Sequence, residues 1–343
     1  MAPVIRELDQ QREPAWDEFV VRDPNGTFFH RSGWKHVIEQ AFRHRTHYVL
    51  AEQDGAITGI LPLVYVRSLV FGNRLVSVPF CVYGGPLAAE SESAALLADY
   101  SIDLAKRVGA DAIEFRGRVP VVADWTTRSN LYATFRKAIS DSAEANLKAV
   151  PRKQRAVIRK SLESGLQSTI DFNTDRFYGI YSASVRNLGT PVFSQNYLSI
   201  LKKYFGDVLE IVTVIDDDVP LSSVLSFFFR DEVLPYYGGG SKRARQRGAY
   251  DFMYWEVMNR AVERGARVYD FGRSKLGTGS FAFKKNWGFD AEPLAYQYWV
   301  RQGHNLPDIN PSNPKYHLMI NAWKRLPLPL ANLLGPHLAR GIG

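Results

Sequence analysis

The densest run of chemically capable side chains lies between Tyr269 and Phe289. It opens on Tyr269-Asp270-Phe271-Gly272-Arg273-Ser274-Lys275 and passes glycines at Gly277 and Gly279. It then continues as Phe281-Ala282-Phe283-Lys284-Lys285-Asn286-Trp287-Gly288-Phe289. An acid at the end of an apolar strand, followed by a glycine-rich loop, is where α/β proteins usually build their sites. Gly277 and Gly279 let the backbone come close to a ligand. Arg273, Lys275 and either Lys284 or Lys285 supply cations. A lysine fixed there can hold negative charge developing on an acyl oxygen or a leaving group, and losing one such donor typically costs about 3–4 kcal/mol of barrier. Asp270 reads in two ways: as a base or substrate anchor, or as a buried strand-end acid satisfied by backbone amides or a nearby cation. The whole run also reads more plainly, as a basic loop between two core strands.

Other chemistries lack their residues. There is no Gly-x-Ser-x-Gly elbow, no His-Glu-x-x-His pair and no phosphate loop ending in Gly-Lys-Ser/Thr. Cys81 is the only cysteine, so neither an internal disulfide nor a cysteine-based metal site can form. His30, His36, His44 and His47 crowd the N-terminal region, but no carboxylate stands beside His44 and His47 at a ligand spacing. No metal is therefore expected.

The elements that must position the dense run belong to a duplicated pattern. Leu104-Ala105-Lys106-Arg107-Val108-Gly109-Ala110 leads into Asp111-Ala112-Ile113-Glu114-Phe115-Arg116-Gly117. Arg260-Ala261-Val262-Glu263-Arg264-Gly265-Ala266 likewise leads into Arg267-Val268-Tyr269-Asp270-Phe271-Gly272. Each reads as a helix stopped by glycine and a strand closing near an acid–Phe pair. Upstream, Pro79-Phe80-Cys81-Val82-Tyr83-Gly84-Gly85 matches Pro235-Tyr236-Tyr237-Gly238-Gly239, read as a Tyr-Gly-Gly turn. Before each lies a turn and an apolar strand, Ile57 to Val66 and Val219 to Phe229. The order strand, strand, turn, helix, glycine, strand occurs twice, which predicts two related α/β (α+β) halves.

With 343 residues, 45% of them hydrophobic and 23% charged, the chain has room for two domains with cores of their own. The expected division is 1–145, a basic linking helix over 146–165, a second domain over 166–305, and an apolar tail with prolines over 306–343. The linking segment carries Lys148, Arg152, Lys153, Arg155, Arg159 and Lys160, with Pro151 suited to a first helical turn. It reads equally as a solvated helix face or as a cationic guide for a phosphorylated substrate. The tail, with Leu326-Pro327-Leu328-Pro329-Leu330 and Pro336, is read as docking on the protein body. Peripheral membrane contact is the alternative, since the prolines argue against a continuous amphipathic helix.

The N-terminus has no apolar signal core and no stretch reaches about 18 apolar residues. A cytoplasmic location is the expectation, with the inner face of the membrane as a refinement. The formal charge of +8 points to an anionic partner: a nucleotide-sugar, a lipid-linked precursor or an RNA. A non-catalytic nucleic-acid-binding module and a scaffold protein are the competing classes. No recognised nucleic-acid motif is present, and the cations are mixed with 35 acids.

On these residues a resemblance can be stated. Gly189-Thr190-Pro191-Val192-Phe193, Asp270-Phe271-Gly272-Arg273-Ser274-Lys275, Phe283-Lys284-Lys285-Asn286-Trp287-Gly288-Phe289 and Asn310-Pro311-Ser312-Asn313-Pro314-Lys315 resemble the FemAB family of peptidyl and aminoacyl transferases. Within it they look like the subgroup associated with exosortase/PEP-CTERM and exopolysaccharide gene clusters. The resemblance implies two tandem GNAT-like domains, each a mixed central sheet flanked by helices, with the active site in the second. It implies N-acyl or aminoacyl transfer to an amino group of a cell-envelope, peptidoglycan or exopolysaccharide precursor. No cofactor is implied as firmly bound, and the donor is aminoacyl-tRNA or acyl-CoA.

The resemblance also assigns residues. Lys284, in the Phe283-Lys284 pair, assists the charged transition state. Arg186 matches the arginine that holds a phosphorylated acceptor, Tyr236 or Tyr237 a substrate-contacting tyrosine, and Lys35 an N-terminal phosphate-binding lysine. Arg273 and Lys275 complete the expected substrate contacts. Two departures stand out. The nearest match to an acyl-CoA pyrophosphate loop, Arg245-Gln246-Arg247-Gly248-Ala249-Tyr250, has bulky Tyr250 where a small residue is expected. There is also no long helical insertion of the sort some FemAB members carry for tRNA. An acyl-CoA-dependent N-acetyltransferase acting on a sugar or small-molecule amine is the alternative enzyme.

Overall fold

The runs around Ile60–Val64 and Val224–Phe229 are apolar on both sides of the pleat, as strands covered on both faces must be. They lie in the two longest strands, Ala56–Ser68 and Val219–Phe229. The structure, a computed structural model, describes residues 2–68, 72–305 and 317–342. The motif Asn310 to Lys315 lies outside the described residues.

Two compact units are present. The first holds the chain through Leu131, the strand Ala295–Val300 and the last helical turns from His337. Its sheet runs Val4–Glu7, Arg45–Gln53, Ala56–Ser68, Gly72–Ser77, Ala112–Gly117, Ala295–Val300, Thr126–Arg128. Neighbours are antiparallel except Gly72–Ser77 against Ala112–Gly117, which are parallel and joined through the helix Ser91–Val108.

The second unit holds Tyr132–Glu292 and the helical segment up to Pro336. Its sheet runs Gln167–Ile170, Leu209–Asp216, Val219–Phe229, Glu232–Gly240, Val268–Asp270, Arg136–Ala138. Again one pair is parallel, Glu232–Gly240 with Val268–Asp270, and the helix Ala249–Glu263 connects it. The same succession therefore occurs twice, a mixed sheet crossed by a helix before its parallel strand, as the duplicated sequence pattern implies.

The units divide the chain differently from the boundaries read in the sequence. Arg136–Ala138 pairs with Val268–Asp270, Arg136 lying opposite Asp270, so residues from 132 onward join the second unit. Ala295–Val300 pairs with Ala112–Gly117 and joins the first. Strands as short as Arg136–Ala138 leave no periodic signal to place them.

Two local expectations need correction. Tyr236-Tyr237-Gly238-Gly239 is not a turn but part of the strand Glu232–Gly240. Gly239 is there because the helix Asp175–Leu188 crosses closely: a Cβ on it would lie 2.8 Å from Ser184 Cβ and 3.1 Å from Tyr181 Cα. The tail prolines also do not prevent a continuous helix, since Leu328–Ile342 forms one with Pro336 inside it. Pro329 sits in its first turn, where a missing N–H costs nothing.

The core beneath the dense run is aromatic. Phe271 meets Tyr269, Phe289 and Trp287 edge-on at 4.8, 4.7 and 5.7 Å between ring centroids. These contacts fix the short helix Gly279–Asn286 over the end of the strand Val268–Asp270.

Candidate functional site

The parallel pairing of Glu232–Gly240 with Val268–Asp270 extends over only Glu232↔Val268 and Val233↔Tyr269. Beyond it one strand ends at Asp270 while the other runs on to Gly240. Within the second unit is a cavity of about 380 Å³. Tyr250, Asp251 and Tyr254 enter it from the first turns of the helix Ala249–Glu263, and Gly279, Ser280, Phe283 and Lys284 from the helix Gly279–Asn286. Arg245 and Phe271 add to the wall.

Helix geometry separates Lys284 from Lys285. Thr278 caps the helix by accepting from Phe281 N, and the turn that follows sends Lys284 inward and Lys285 into solvent. Lys284 Nζ donates to the carbonyl oxygens of Gly272 at 3.0 Å and Arg273 at 3.2 Å, and lies 5.5 Å from the Phe135 ring centroid. Burial, opposed by the nearby Asp270 carboxylate and reinforced by Arg273, lowers its pKa to about 7. An ammonium has three N–H donors. Two are committed to the strand-end carbonyls, which leaves a third N–H beyond those two bonds.

Asp251 is the acid of the cavity, and the sequence reading did not single it out. Its Oδ1 accepts from Trp287 Nε1 at 3.1 Å and from the Gln154 amide. Burial raises its pKa, against the two hydrogen bonds. In sequence it is a first-turn acid after a glycine, which reads only as a partner for the helix dipole. Its place in the same cavity wall as Lys284 is a tertiary fact, although Trp287, a buried indole with an N–H to satisfy, is a hint.

Asp270 does not line this cavity. It is fully buried, and its carboxylate accepts from Gly272 N at 2.7 Å, Arg136 Nη1 at 2.8 Å and Thr134 Oγ1 at 3.4 Å. Arg136 also grips Glu232, so the network ties three adjacent strands. Asp270 acts on the site through the loop it shapes, since Gly272, whose N–H it holds, presents its carbonyl to Lys284.

The other expected residues are dispersed. Phe283 is in the cavity wall. Arg273 stacks its guanidinium over Tyr132 at 4.5 Å and contributes its carbonyl to Lys284. Lys275 lies in the short strand Ser274–Lys275 and is half-buried. Tyr236 and Tyr237 do not line the cavity. Tyr236 is the extra residue of a β-bulge, where the register passes from Leu225↔Tyr237 to Ser226↔Pro235. Tyr237 is buried, its hydroxyl 2.8 Å from that of Tyr197. Arg186 donates to the carbonyls of Lys324 at 3.2 Å and Leu326 at 3.3 Å. Lys35 belongs to the first unit and pairs with Glu39 at 3.1 Å.

The segment matched to a pyrophosphate loop is a helix, Lys242–Arg247, ended by Gly248. Arg243 and Arg247 are both spent on Asp216, at 2.7 and 2.8 Å. Tyr250 leans on Gly240, where a Cβ would lie 2.7 Å from its hydroxyl. Arg245 alone of these arginines faces the cavity, exposed at its rim. Along the basic helix Arg152–Leu162 runs an open groove lined by Arg152, Arg155, Arg159 and Lys160. On this helix Ile158 is buried, whereas Val157 and Leu162 are exposed. Among the described residues no group of histidine, cysteine and carboxylate side chains could hold a metal ion.

With this geometry in view, comparison with known proteins gives a consistent class. Residues 152–285 match the family described as an acetyltransferase (GNAT) domain, a span that holds both Asp251 and Lys284. Among solved structures the chain is similar to FemX, at 16% identity and a TM-score of 0.62, covering 92% of this chain and 100% of that one. It is similar to the C-terminal domain (DUF2156) of a putative lysylphosphatidylglycerol synthetase from Agrobacterium fabrum, at 13% identity, TM-score 0.56, and coverage of 85% and 92%. A tandem GNAT protein from the clavulanic acid biosynthesis pathway aligns at 11% identity, TM-score 0.55, and coverage of 89% and 99%. Curated protein sequences give no match.

At such identities the likeness is one of fold, and that fold is the tandem GNAT arrangement. The match of residues 152–285 to a GNAT acetyltransferase domain supports an acyltransferase on that fold. The resemblance to the FemAB family read from the sequence agrees with the FemX fold.

Proposed function

We propose that the chain transfers an acyl or aminoacyl group to an amino group of a cell-envelope or exopolysaccharide precursor, in the cavity that Lys284 and Asp251 share. The observation that carries this reading is the buried Lys284, held at two carbonyls with one donor to spare. The acceptor nitrogen attacks the donor's carbonyl carbon. A C–N bond forms, and after collapse of the tetrahedral intermediate the ester C–O or thioester C–S bond breaks, releasing tRNA or CoA, whose leaving oxygen or sulfur takes the proton that Asp251 has removed from the amine. Asp251, as the carboxylate, takes the proton lost by the attacking amine. Lys284, as the ammonium, donates to the oxyanion. Arg245 at the rim faces an anionic part of the donor or acceptor, while Arg273 holds the loop that carries Lys284's acceptors.

The donor we favour is aminoacyl-tRNA. The segment that would wrap a CoA pyrophosphate is helical through Arg247, and Arg247, with the neighbouring Arg243, is engaged with Asp216. One structural neighbour is the C-terminal domain of a putative lysylphosphatidylglycerol synthetase, which suits a lipid-linked acceptor. Acetyl-CoA-dependent transfer is the second reading, favoured by the acetyltransferase description of the matching domain. The exopolysaccharide branch of the acceptor class rests on the sequence resemblance. Arg186 and Tyr236 would act at a distance from the cavity, by fixing helices and strand.

The test is a transfer assay with labelled aminoacyl-tRNA or acetyl-CoA against UDP-linked amino sugars and amine-bearing lipid precursors. Lys284→Ala is expected to lose turnover by roughly 10²–10³-fold, the usual loss for one preorganised donor. A folded Lys284→Ala protein with wild-type turnover would remove the assignment. Stabilisation by acetyl-CoA alone would select the second reading.

A further inference from the structure

The helix Leu328–Ile342 turns its small residues inward and its large ones outward, the reverse of an ordinary surface helix. Ala331 and Ala339 are 1% and 3% exposed, and Gly335 between them is buried. A Cβ on Gly335 would lie 2.9 Å from the backbone N and O of Val192, so only glycine lets the helix come this close. On the opposite side Leu330, Leu333, Leu334 and Leu338 are 46%, 65%, 46% and 47% exposed. Their spacing of three, four and eight residues from Leu330 makes one continuous stripe, with exposed His337 in line. The preceding helix His317–Arg325 adds Leu318, 85% exposed, and Met319.

The helix pair is anchored through backbone carbonyls and the Trp323 indole. Arg186 donates to the carbonyls of Lys324 and Leu326 at the turn between the two helices, and Trp323 Nε1 donates to Thr190 O at 3.1 Å. In the last turns His44, kept neutral by burial with a pKa of about 4, lies 3.0 Å from Arg340 O, and Arg74 donates to Ile342 O at 2.9 Å. Arg186, expected to hold a substrate phosphate, is thus one of the anchors of the helix pair.

The charges beside the stripe are of one sign. From 317 to 342 the chain has Lys324, Arg325 and Arg340 and no aspartate or glutamate. We infer that this leucine stripe seats the protein on an anionic phospholipid surface, with the leucines in the headgroup–acyl boundary and the cations against the headgroups. A second copy of the chain is a poorer occupant, because a symmetric contact would set these cations against one another with no acid between them. Among the described residues no helix is long and apolar enough to cross a membrane, so the contact is of the lying-on kind. The inference is independent of the donor and acceptor proposed above, and it would place a lipid-linked acceptor at the surface where the enzyme sits.

The test is flotation of the full chain with phosphatidylcholine vesicles, with and without phosphatidylglycerol. The wild type is expected to float with the anionic vesicles and much less with the neutral ones, and raised salt should weaken it. Leu333→Ser/Leu334→Ser should lose binding by roughly tenfold or more, the loss expected for two leucines withdrawn from an apolar phase. Its melting temperature should not change, because both side chains are exposed. Lys324→Gln/Arg325→Gln should reduce the preference for anionic vesicles. Wild-type protein that stays unbound, a serine variant that floats as well as the wild type, or a wild-type dimer that the serine variant converts to monomer would each overturn the inference.

Discussion

Lys284 Nζ lies 3.0 Å from the carbonyl oxygen of Gly272, and the N–H of Gly272 in turn donates to Asp270 Oδ1 at 2.7 Å. The same glycine is thus held on its donor side by the buried strand-end acid and presents its acceptor side to the lysine. Asp270 and Lys284 are coupled through a backbone peptide, and the lysine's position depends on a carboxylate that does not line the cavity.

The pH dependence of transfer follows from the cavity's two ionisable groups. Lys284, with its pKa lowered to about 7 chiefly by burial, is an ammonium below that pH and loses its charge above it. Asp251, raised by burial, must be ionised to accept a proton. The kcat/KM profile should therefore be bell-shaped, with Asp251 on the acid limb and a fall near pH 7 from Lys284. Lys284→Arg keeps its charge at every relevant pH and should move the falling limb upward. A falling limb that stays near 7 in that variant belongs to another group and excludes Lys284 as the required cation.

Burial of this amine should also be visible in stability. Its folded pKa is depressed, so between about 7 and 10.5 the unfolded chain binds more protons than the folded one. Stability then rises with pH across that window. Lys284→Met removes the titration, fills a similar volume and should melt no lower than the wild type at pH 7 while losing transfer. The advantage of the variant should shrink toward pH 10. Melting curves of the two proteins at several pH values measure this, and a variant that loses stability at pH 7 would contradict it.

Asp251→Asn separates chemistry from structure. Asparagine's oxygen can still accept from Trp287 Nε1 and Gln154, so the fold should be kept, with a melting temperature within a few degrees of wild type. Turnover should fall by roughly 10²–10⁴-fold, the usual range for loss of a general base. Asp251→Ala should in addition lose about 1–3 kcal/mol, because the Trp287 N–H is left without its acceptor. Unchanged transfer by the asparagine variant would leave Asp251 only as a tie between helices.

How much of this site could be read in the sequence depends on whether each residue's role is local. The acid–Phe–Gly strand end and the inward lysine of Phe283-Lys284 lie within one continuous run, so their association was legible. The duplicated helix–glycine–strand units were legible too, because each spans enough residues to be periodic. Asp251 was not, because its partners Trp287 and Gln154 are 36 and 97 residues away in the chain. Arg186 illustrates the opposite case: a motif match suggested a ligand contact, but its guanidinium meets the carbonyls of Lys324 and Leu326. The exchange of Arg136–Ala138 and Ala295–Val300 into sheets distant in sequence was invisible, since short strands take their place from long-range pairing alone.

The Asp270 network makes the last prediction, and it distinguishes support from chemistry. Asp270 and Arg136 are both buried and 2.8 Å apart, with Glu232 as the arginine's second partner. Removing the carboxylate in Asp270→Ala leaves a buried guanidinium half-paired and the Gly272 N–H without its acceptor. The expected loss is about 3–5 kcal/mol, as for breaking a buried pair by deleting one member. Asp270→Asn keeps an oxygen for Gly272 and should cost less. If Asp270 acts only through the loop and its charge, the asparagine variant should lower kcat by the displacement of Lys284 and move the falling limb to lower pH, since the carboxylate supports the ammonium, while leaving the acid limb at its wild-type position. Chemical denaturation and the pH profile of that one variant decide the matter: disappearance of the acid limb would make Asp270, rather than Asp251, the group that takes the proton.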